Sequence, residues 1–362
     1  MTTQDPQHPS PAADLTTGNP ELDAYTAAMA GDQAPLLGHV VLYSVFPGTV
    51  TPDDLTAWFT ELDLDPDFLP PPLKSDAAYE RVTGRDGVRV TYPLDDPTAT
   101  GRDGRRRRRQ PDELGRSALL MVRPVSRDSG RIVRHVVREV RDERKVKLRY
   151  DTRLAAVVFR RDTSEPGAGQ MTIKPDDKAI AALPEAEQTT VREMLAEIQA
   201  SYITNCTYFT GDRLRSLVRA YVEHLGAIKL RPTGGVYFVH HRHDATLAAL
   251  RELVRRFGHG SLLARVPLPD QDEQREMVIA AFTTNARDEL ETLAKDLAAA
   301  RRAGAKQAEV EKLFERYRAL QASTAEHSEL LSVTLDDTND ALELVKLQLT
   351  NLLTTADHED DD

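Results

Sequence analysis

Arg215 and Arg219 stand four residues apart in an amphipathic stretch, and Lys229, Arg231 and Arg242 follow on and just beyond a short basic hairpin. Residues four apart share a helix face. A helix followed by a basic wing is how many folds grip phosphate, the helix entering a groove and the wing touching the backbone. Glu223, on the same polar face, opposes that reading. The other chemistries are thinner. His240, His241 and His243 with Asp244 put imidazoles two apart on a strand, hence on one side, but no second group of ligands accompanies them and a surface or capping role suits them better. Unligated, they are expected to add positive charge to the wing below about pH 6.5. Thr233-Gly234-Gly235 is a turn between strands. The patterns GxxxxGK[ST], GxGxxG before a helix, GxSxG and HExxH are absent, Cys206 has no evident base near it in sequence, and Asp53 and Asp54 suit the positive end of a helix. No catalytic residue, metal or cofactor is assigned.

The elements that carry the cationic residues form a middle module, 180–268, expected to be winged-helix-like. A helix over 185–204 buries Val191, Met194, Leu195, Ile198 and Tyr202; one over 212–225 buries Leu214, Leu217, Val218, Tyr221 and Leu225 and stops at Gly226. The hairpin 227–239, a helix over 246–257 and a strand over 261–266 complete it. Before it, residues 1–36 are rich in Pro, Ala, Asp and Thr and are expected to be a disordered tail. Residues 37–175 then read as an α+β domain built on an antiparallel sheet. Its strand over 38–46 leads to a helix announced by Thr51-Pro52-Asp53-Asp54 and carrying Leu55, Trp58, Phe59 and Leu62. A short strand over 88–92 precedes a meander over 118–125, 131–140, 145–150 and 155–160, in which Lys145, Lys147 and Arg149 alternate with Val146, Leu148 and Tyr150. A basic loop near 101–116 carries the run Arg105 to Arg109. With the cationic sheet face it forms a second candidate phosphate patch, a solvated loop being the plainer reading.

From 272 to 355 the apolar residues keep alternating three-four spacing, so a long coiled-coil hairpin of two helices is expected, broken near Arg301-Arg302-Ala303-Gly304-Ala305. Leu331, Leu335, Leu342, Val345, Leu349 and Leu352 form its seam, with Thr338 and Asn339 setting register. The seam is offered either to a protein partner or second copy, or to an intramolecular bundle. Residues 356–362 read as an acidic disordered tail.

Composition bounds the rest. The 362 residues exceed one ordinary core. A single cysteine excludes an intramolecular disulfide and fits a reducing compartment. No basic, apolar leader opens the sequence and no segment approaches about 18 consecutive apolar residues, so a soluble cytoplasmic protein without membrane contact is expected. The net charge of −11 conceals sorting: in 101–160, 19 Lys and Arg face 8 Asp and Glu, and in 205–268 the figures are 10 and 4. Acidity elsewhere repels nucleic acid at long range, but within a Debye length of about 8 Å local patches decide.

The strand over 38–46, Arg134-His135-Val136-Val137-Arg138-Glu139-Val140, the stretch 225–239 and the long helical C-terminus together resemble a family of uncharacterised proteins from actinobacteria and their phages. The resemblance spans nearly everything after the N-terminal tail and implies no activity and no site residues. The expectation is therefore a non-enzymatic scaffold or accessory protein that binds a partner or itself through the helical end, with a basic module that contacts nucleic acid. The alternatives are a pure protein-interaction protein and an enzyme with a site assembled between domains.

Overall fold

The computed structural model describes residues 35–94, 115–141, 147–162, 164, 167–231, 235–303, 307–331 and 335–359. In chain order the elements are β1 (Leu36–Ser44), α1 (Pro52–Glu61), α2 (Ser75–Thr83), β2 (Val90–Pro93), β3 (Ser117–Arg127), β4 (Arg131–Arg141), β5 (Lys147–Arg161), β6 (Gly169–Pro175), α3 (Asp177–Ala181), α4 (Glu185–Thr207), α5 (Gly211–His224), β7 (Ile228–Lys229), β8 (Val236–His240), α6 (Asp244–Arg256), β9 (Leu262–Pro269), α7 (Asp272–Ala303), α8 (Gln307–Leu331) and α9 (Asp336–Glu359). The protein is thus mixed α+β with two antiparallel sheets and a helical C-terminal region. No helix among the described residues is long and apolar enough to cross a membrane.

The chain divides into two compact units: Met1–Gly48, Thr56–Pro70 and Gly211–Asp362 form the first, and Thr49–Leu55 with Pro71–Thr210 the second. The second is therefore an insertion, in sequence, between β1 and α5. In the first unit the sheet order is β7-β8-β1-β9, every neighbouring pair antiparallel. With α5 between β1 and β7, and α6 between β8 and β9, this is the βαββαβ arrangement of ferredoxin-like folds. The expected winged helix is corrected accordingly. The hairpin β7–β8 is the edge of a four-stranded sheet whose next member, β1, comes from almost 200 residues earlier, and the helix expected over 185–204 falls in the other unit. Pairing with a remote strand leaves no local signature, whereas the helix and hairpin do. Gly38 is required where β1 crosses β8, because a Cβ there would lie 2.3 Å from the Val239 carbonyl oxygen and 2.7 Å from the Phe238 ring.

One face of this sheet is closed by the helical region: Leu37, Ile228 and Phe238 pack with Val278, Phe282 and Ala286 of α7 and with Leu331 and Leu335. The expected two-helix hairpin is in fact three helices. α7 is described to Ala303, α8 from Gln307 to Leu331 and α9 from Asp336; residues 304–306, where the sequence placed its break, and 332–334 lie outside the described residues. Leu290, Leu293 and Leu297 of α7, Leu313 and Tyr317 of α8, and Leu342, Val345 and Leu349 of α9 make one core. The acidic stretch from 356 continues α9 to Glu359.

The second unit is a meander, β2-β3-β4-β5-β6, with α2, α3 and α4 on one face. The two strands expected over 145–150 and 155–160 are one, β5, accommodated by a register shift opposite Val136 and Arg138. Tyr79, Leu120, Val136, Val157, Phe159, Met194 and Ile198 are fully buried in its core. Within this apolar face sits a polar knot. Arg138, 5 % exposed, donates to Glu187 (2.8 Å) and Asp151 (2.9 Å), and Tyr92 donates its hydroxyl proton to Glu187 at 2.6 Å. Burial first, and then the Glu187 contact, push the Tyr92 phenol up to about 12. The knot ties α4 to three strands and keeps every buried charge paired. The arginine run Arg105 to Arg109 and Lys145 lie outside the described residues.

Candidate anion-binding cleft

In the second unit, α2 runs out at Thr83 and the chain turns tightly through Gly84-Arg85-Asp86-Gly87 toward β2, closed by Gly87 N–H to Gly84 O (3.1 Å) and Val88 N–H to Val82 O (3.0 Å). Only glycine fits at its two ends, since a Cβ on Gly84 or Gly87 would come within 2.4 Å of the Glu80 carbonyl or 2.3 Å of the Val82 carbonyl. That turn displays Arg85, and the segment after it displays Arg89; both are exposed and have no ion-pair partner among the described residues. Alongside, β2 pairs β3 only over Ser117 to Leu120, so the later half of β3 is a sheet edge. Pro124 and a register shift between Pro124 and Ser126 blunt that edge against a further strand.

Between the turn and this edge lies a cleft of about 580 Å³. Five arginines line it (Arg85, Arg89, Arg123, Arg134 and Arg141) with one carboxylate, Glu80. Arg134 comes up from β4 through an apolar floor, its guanidinium 5.3 Å above the Tyr79 ring, donating to Thr83 Oγ1 (2.9 Å) and paired with Glu80. Arg141 donates to Glu139 at 2.5 Å, and Arg123 approaches the same carboxylate at 3.5 Å. Leu119, Met121, Val122 and Pro124 supply the apolar wall, and no aromatic ring, histidine or cysteine is among the lining residues. Such a set can attract and orient anions by charge and bidentate hydrogen bonds.

The cations singled out from sequence are placed differently. Arg215 donates to Asp212 (2.6 Å) and to the Val45 carbonyl (2.9 Å). Arg219 hydrogen-bonds Tyr43, which with the phenol's charge raises the guanidinium further above its ordinary value. Lys229 lies 3.3 Å from Glu223, and Arg242 pairs with Glu326 of α8 and donates to His243 Nε2 at 2.9 Å. Arg231 is exposed in the bend after β7. These five residues thus spread over a helix, the strand β7, a bend and a short 3-10 turn, and four of them are engaged by groups of their own unit. For two of these histidines burial disfavours the charged form: burial, then the neighbouring His241 and Arg242, hold His240 down to about 4, and burial lowers His243. No group of three His, Cys, Asp or Glu suited to a metal occurs among the described residues. In the seam, Leu342, Val345 and Leu349 are buried in the core of the chain's own three helices and Leu331 and Leu335 against its sheet, while Leu352 lies beyond the described side chains.

Residues 36–358 match a family described as a family of unknown function, DUF6744. The chain belongs to that family. Neither the curated proteins nor the solved structures gave a match. For this DUF6744 member the cleft arginines were the residues that sequence reasoning missed. Their signal was present but unspecific: Gly84 and Gly87 bracketing Arg85, and Arg131, Arg134, Arg138 and Arg141 recurring along one strand. Strand alternation sends these to different faces, and only the fold tells which are buried.

Proposed function

We propose that this DUF6744 protein is a non-enzymatic accessory protein that binds nucleic acid through its phosphates, at the arginine cleft of the second unit rather than at the α5–β7 module. The observation that carries the reading is the convergence of five guanidinium groups on one cleft with a single carboxylate among the described residues of its lining. Phosphodiesters suit such a cleft because charge and bidentate donation recognise them without reading a base. Among the described lining residues the contacts on offer are guanidinium groups and aliphatic side chains, which suit the phosphate backbone better than base stacking. A peptide added along β3 is disfavoured by Pro124 and the bulge beside it. Self-association through the seam loses support, since its described leucines are consumed in the intramolecular core.

The test is fluorescence anisotropy of a labelled single-stranded oligonucleotide with the full chain at two salt concentrations. Three or four neutralised phosphates give a fall in affinity of about 20- to 50-fold between 50 and 200 mM salt. Arg85→Glu with Arg89→Glu is expected to remove binding, and Arg215→Glu with Arg219→Glu to leave it. Binding that is absent, indifferent to salt or untouched by the first pair overturns the reading.

A further inference from the structure

The floor of the cleft contains two buried polar atoms without hydrogen-bond partners, and they belong to one ion pair. Arg134 Nε, a donor, and Glu80 Oε1, an acceptor, are both unsatisfied, while the other ends of the same side chains hold each other through Arg134 Nη2 and Glu80 Oε2. Arg127 Nη1 lies 3.6 Å from Glu80 Oε1, beyond hydrogen-bond range, on a side chain 66 % exposed and so free to swing toward a ligand. Buried groups left in this state are uncommon and are stabilised by whatever completes them.

A bare phosphate completes only half of this floor. Its oxygens accept from Arg134 Nε but offer nothing to an ionised carboxylate, which only accepts. A ligand that satisfies both atoms carries an anionic oxygen and, within a few ångströms, a neutral donor. A ribonucleotide unit has that combination, the 2′-hydroxyl standing beside the 3′-phosphodiester. A deoxyribonucleotide has the phosphate alone, and the 2′-hydroxyl is the group by which proteins separate RNA from DNA. Base amino groups are also donors, but among the described lining residues there is no ring to hold a base there.

Building on the phosphate reading above, we infer that the cleft selects RNA over DNA, Arg134 and the outer arginines taking the phosphates and Glu80 Oε1 accepting a hydrogen bond from a 2′-hydroxyl. Arg127 moves from Glu80 onto a phosphate as the ligand enters and uncovers that oxygen. Glu80 is in this scheme the residue that sets specificity, and the arginines are those that set affinity.

The experiment compares three single strands of one sequence, RNA, DNA and 2′-O-methyl RNA, by anisotropy with the full chain. RNA is expected to bind about tenfold more tightly than the other two, the value of one well-formed hydrogen bond to a charged group. In Glu80→Gln the amide turns its oxygen to Arg134 and its NH2 to the former Oε1 position, so the three strands are expected to bind alike, with DNA binding no weaker than in the parent. Equal binding of RNA and DNA by the parent, still salt-sensitive and lost in Arg85→Glu with Arg89→Glu, overturns the RNA inference and leaves the phosphate reading standing. Failure to bind any strand overturns both. An RNA preference retained by 2′-O-methyl RNA points to strand shape and overturns the role of Glu80, and that arm needs no variant to fold. An RNA preference retained in a Glu80→Gln protein of unchanged melting temperature does the same.

Discussion

The two units treat positive charge in opposite ways. In the first, Arg215, Arg219, Lys229 and Arg242 each meet a carboxylate, a carbonyl or a phenol of the same unit, and the helical seam that seemed to want a partner closes on itself. In the second, a buried arginine is fully paired while the arginines around the cleft outnumber the acids there. The lesson is that cationic sequence is not cationic surface. A guanidinium four residues from another on a helix says where it points, and only the surrounding fold says whether its charge is already spoken for.

The comparison breaks most sharply at the helical end. Leu349 is fully buried among α7, α8 and α9, so Leu349→Asp places a charge in that core and is expected to destabilise the protein by about 4 kcal/mol or more. Urea denaturation checks this. A drop in molecular mass with unchanged denaturation would return the seam to an intermolecular role and undo the contrast.

Next in size is the second unit's buried cation. Arg138→Met leaves the buried Glu187 with only the Tyr92 hydroxyl of the knot's donors and Asp151 with the exposed Arg149, and a loss of about 3–5 kcal/mol is expected, read as a lower melting temperature. The same change at Arg215, 42 % exposed in its pair with Asp212, is expected to cost less than about 1 kcal/mol. Equal effects at the two positions would mean that burial does not separate them.

In binding, the contrast is between pairs of substitutions rather than between energies of folding. Arg85→Glu with Arg89→Glu reverses two uncompensated charges and is expected to weaken an oligonucleotide at 100 mM salt by about 10- to 100-fold; Arg215→Glu with Arg219→Glu is expected to change it less than about threefold. The reverse order would move the ligand to the first unit.

Much of the local structure was legible. The cap Thr51, whose hydroxyl accepts from the Asp54 N–H at 3.1 Å, the strands of the meander, and the stripes of α4 and α5 are all short-range patterns, and sequence periodicity records short range. What it did not record is pairing across distance. β1 lies beside β8 and β9 with the whole second unit inserted in between, so the sequence around α5 looked like a winged helix when one strand of its sheet, β1, was assigned to another domain. The leucine repeat likewise says that a seam exists but not whether its complement is in the same chain. For the cleft, the arginines of β4 alternate between the apolar face, the polar knot and the rim, and no property of the strand alone separates Arg138 from Arg141.

The smallest effect concerns His240 of the first unit, where positive charge is again disfavoured. Burial disfavours the imidazolium of His240 and holds its folded value at about 4, against 6.5 for an exposed histidine. Between those values the unfolded chain binds the proton and the folded one does not, so stability rises with pH across the interval. The contribution is present in full above about 6.5 and is lost as the pH falls toward about 4. After allowance for solvent screening it is on the order of 1 kcal/mol. Glu252, held down to about 2 chiefly by its hydrogen bonds to Arg255 and Arg256, loses its own contribution mostly at lower pH and so does not mask the upper part of the limb. A melting-temperature series from pH 7 to 5 should slope downward in the parent and less steeply in His240→Asn. A parent that gained stability on acidification over that range would show His240 charged within the fold, and the first unit would then present at pH 5 the cationic wing that its arginines do not provide.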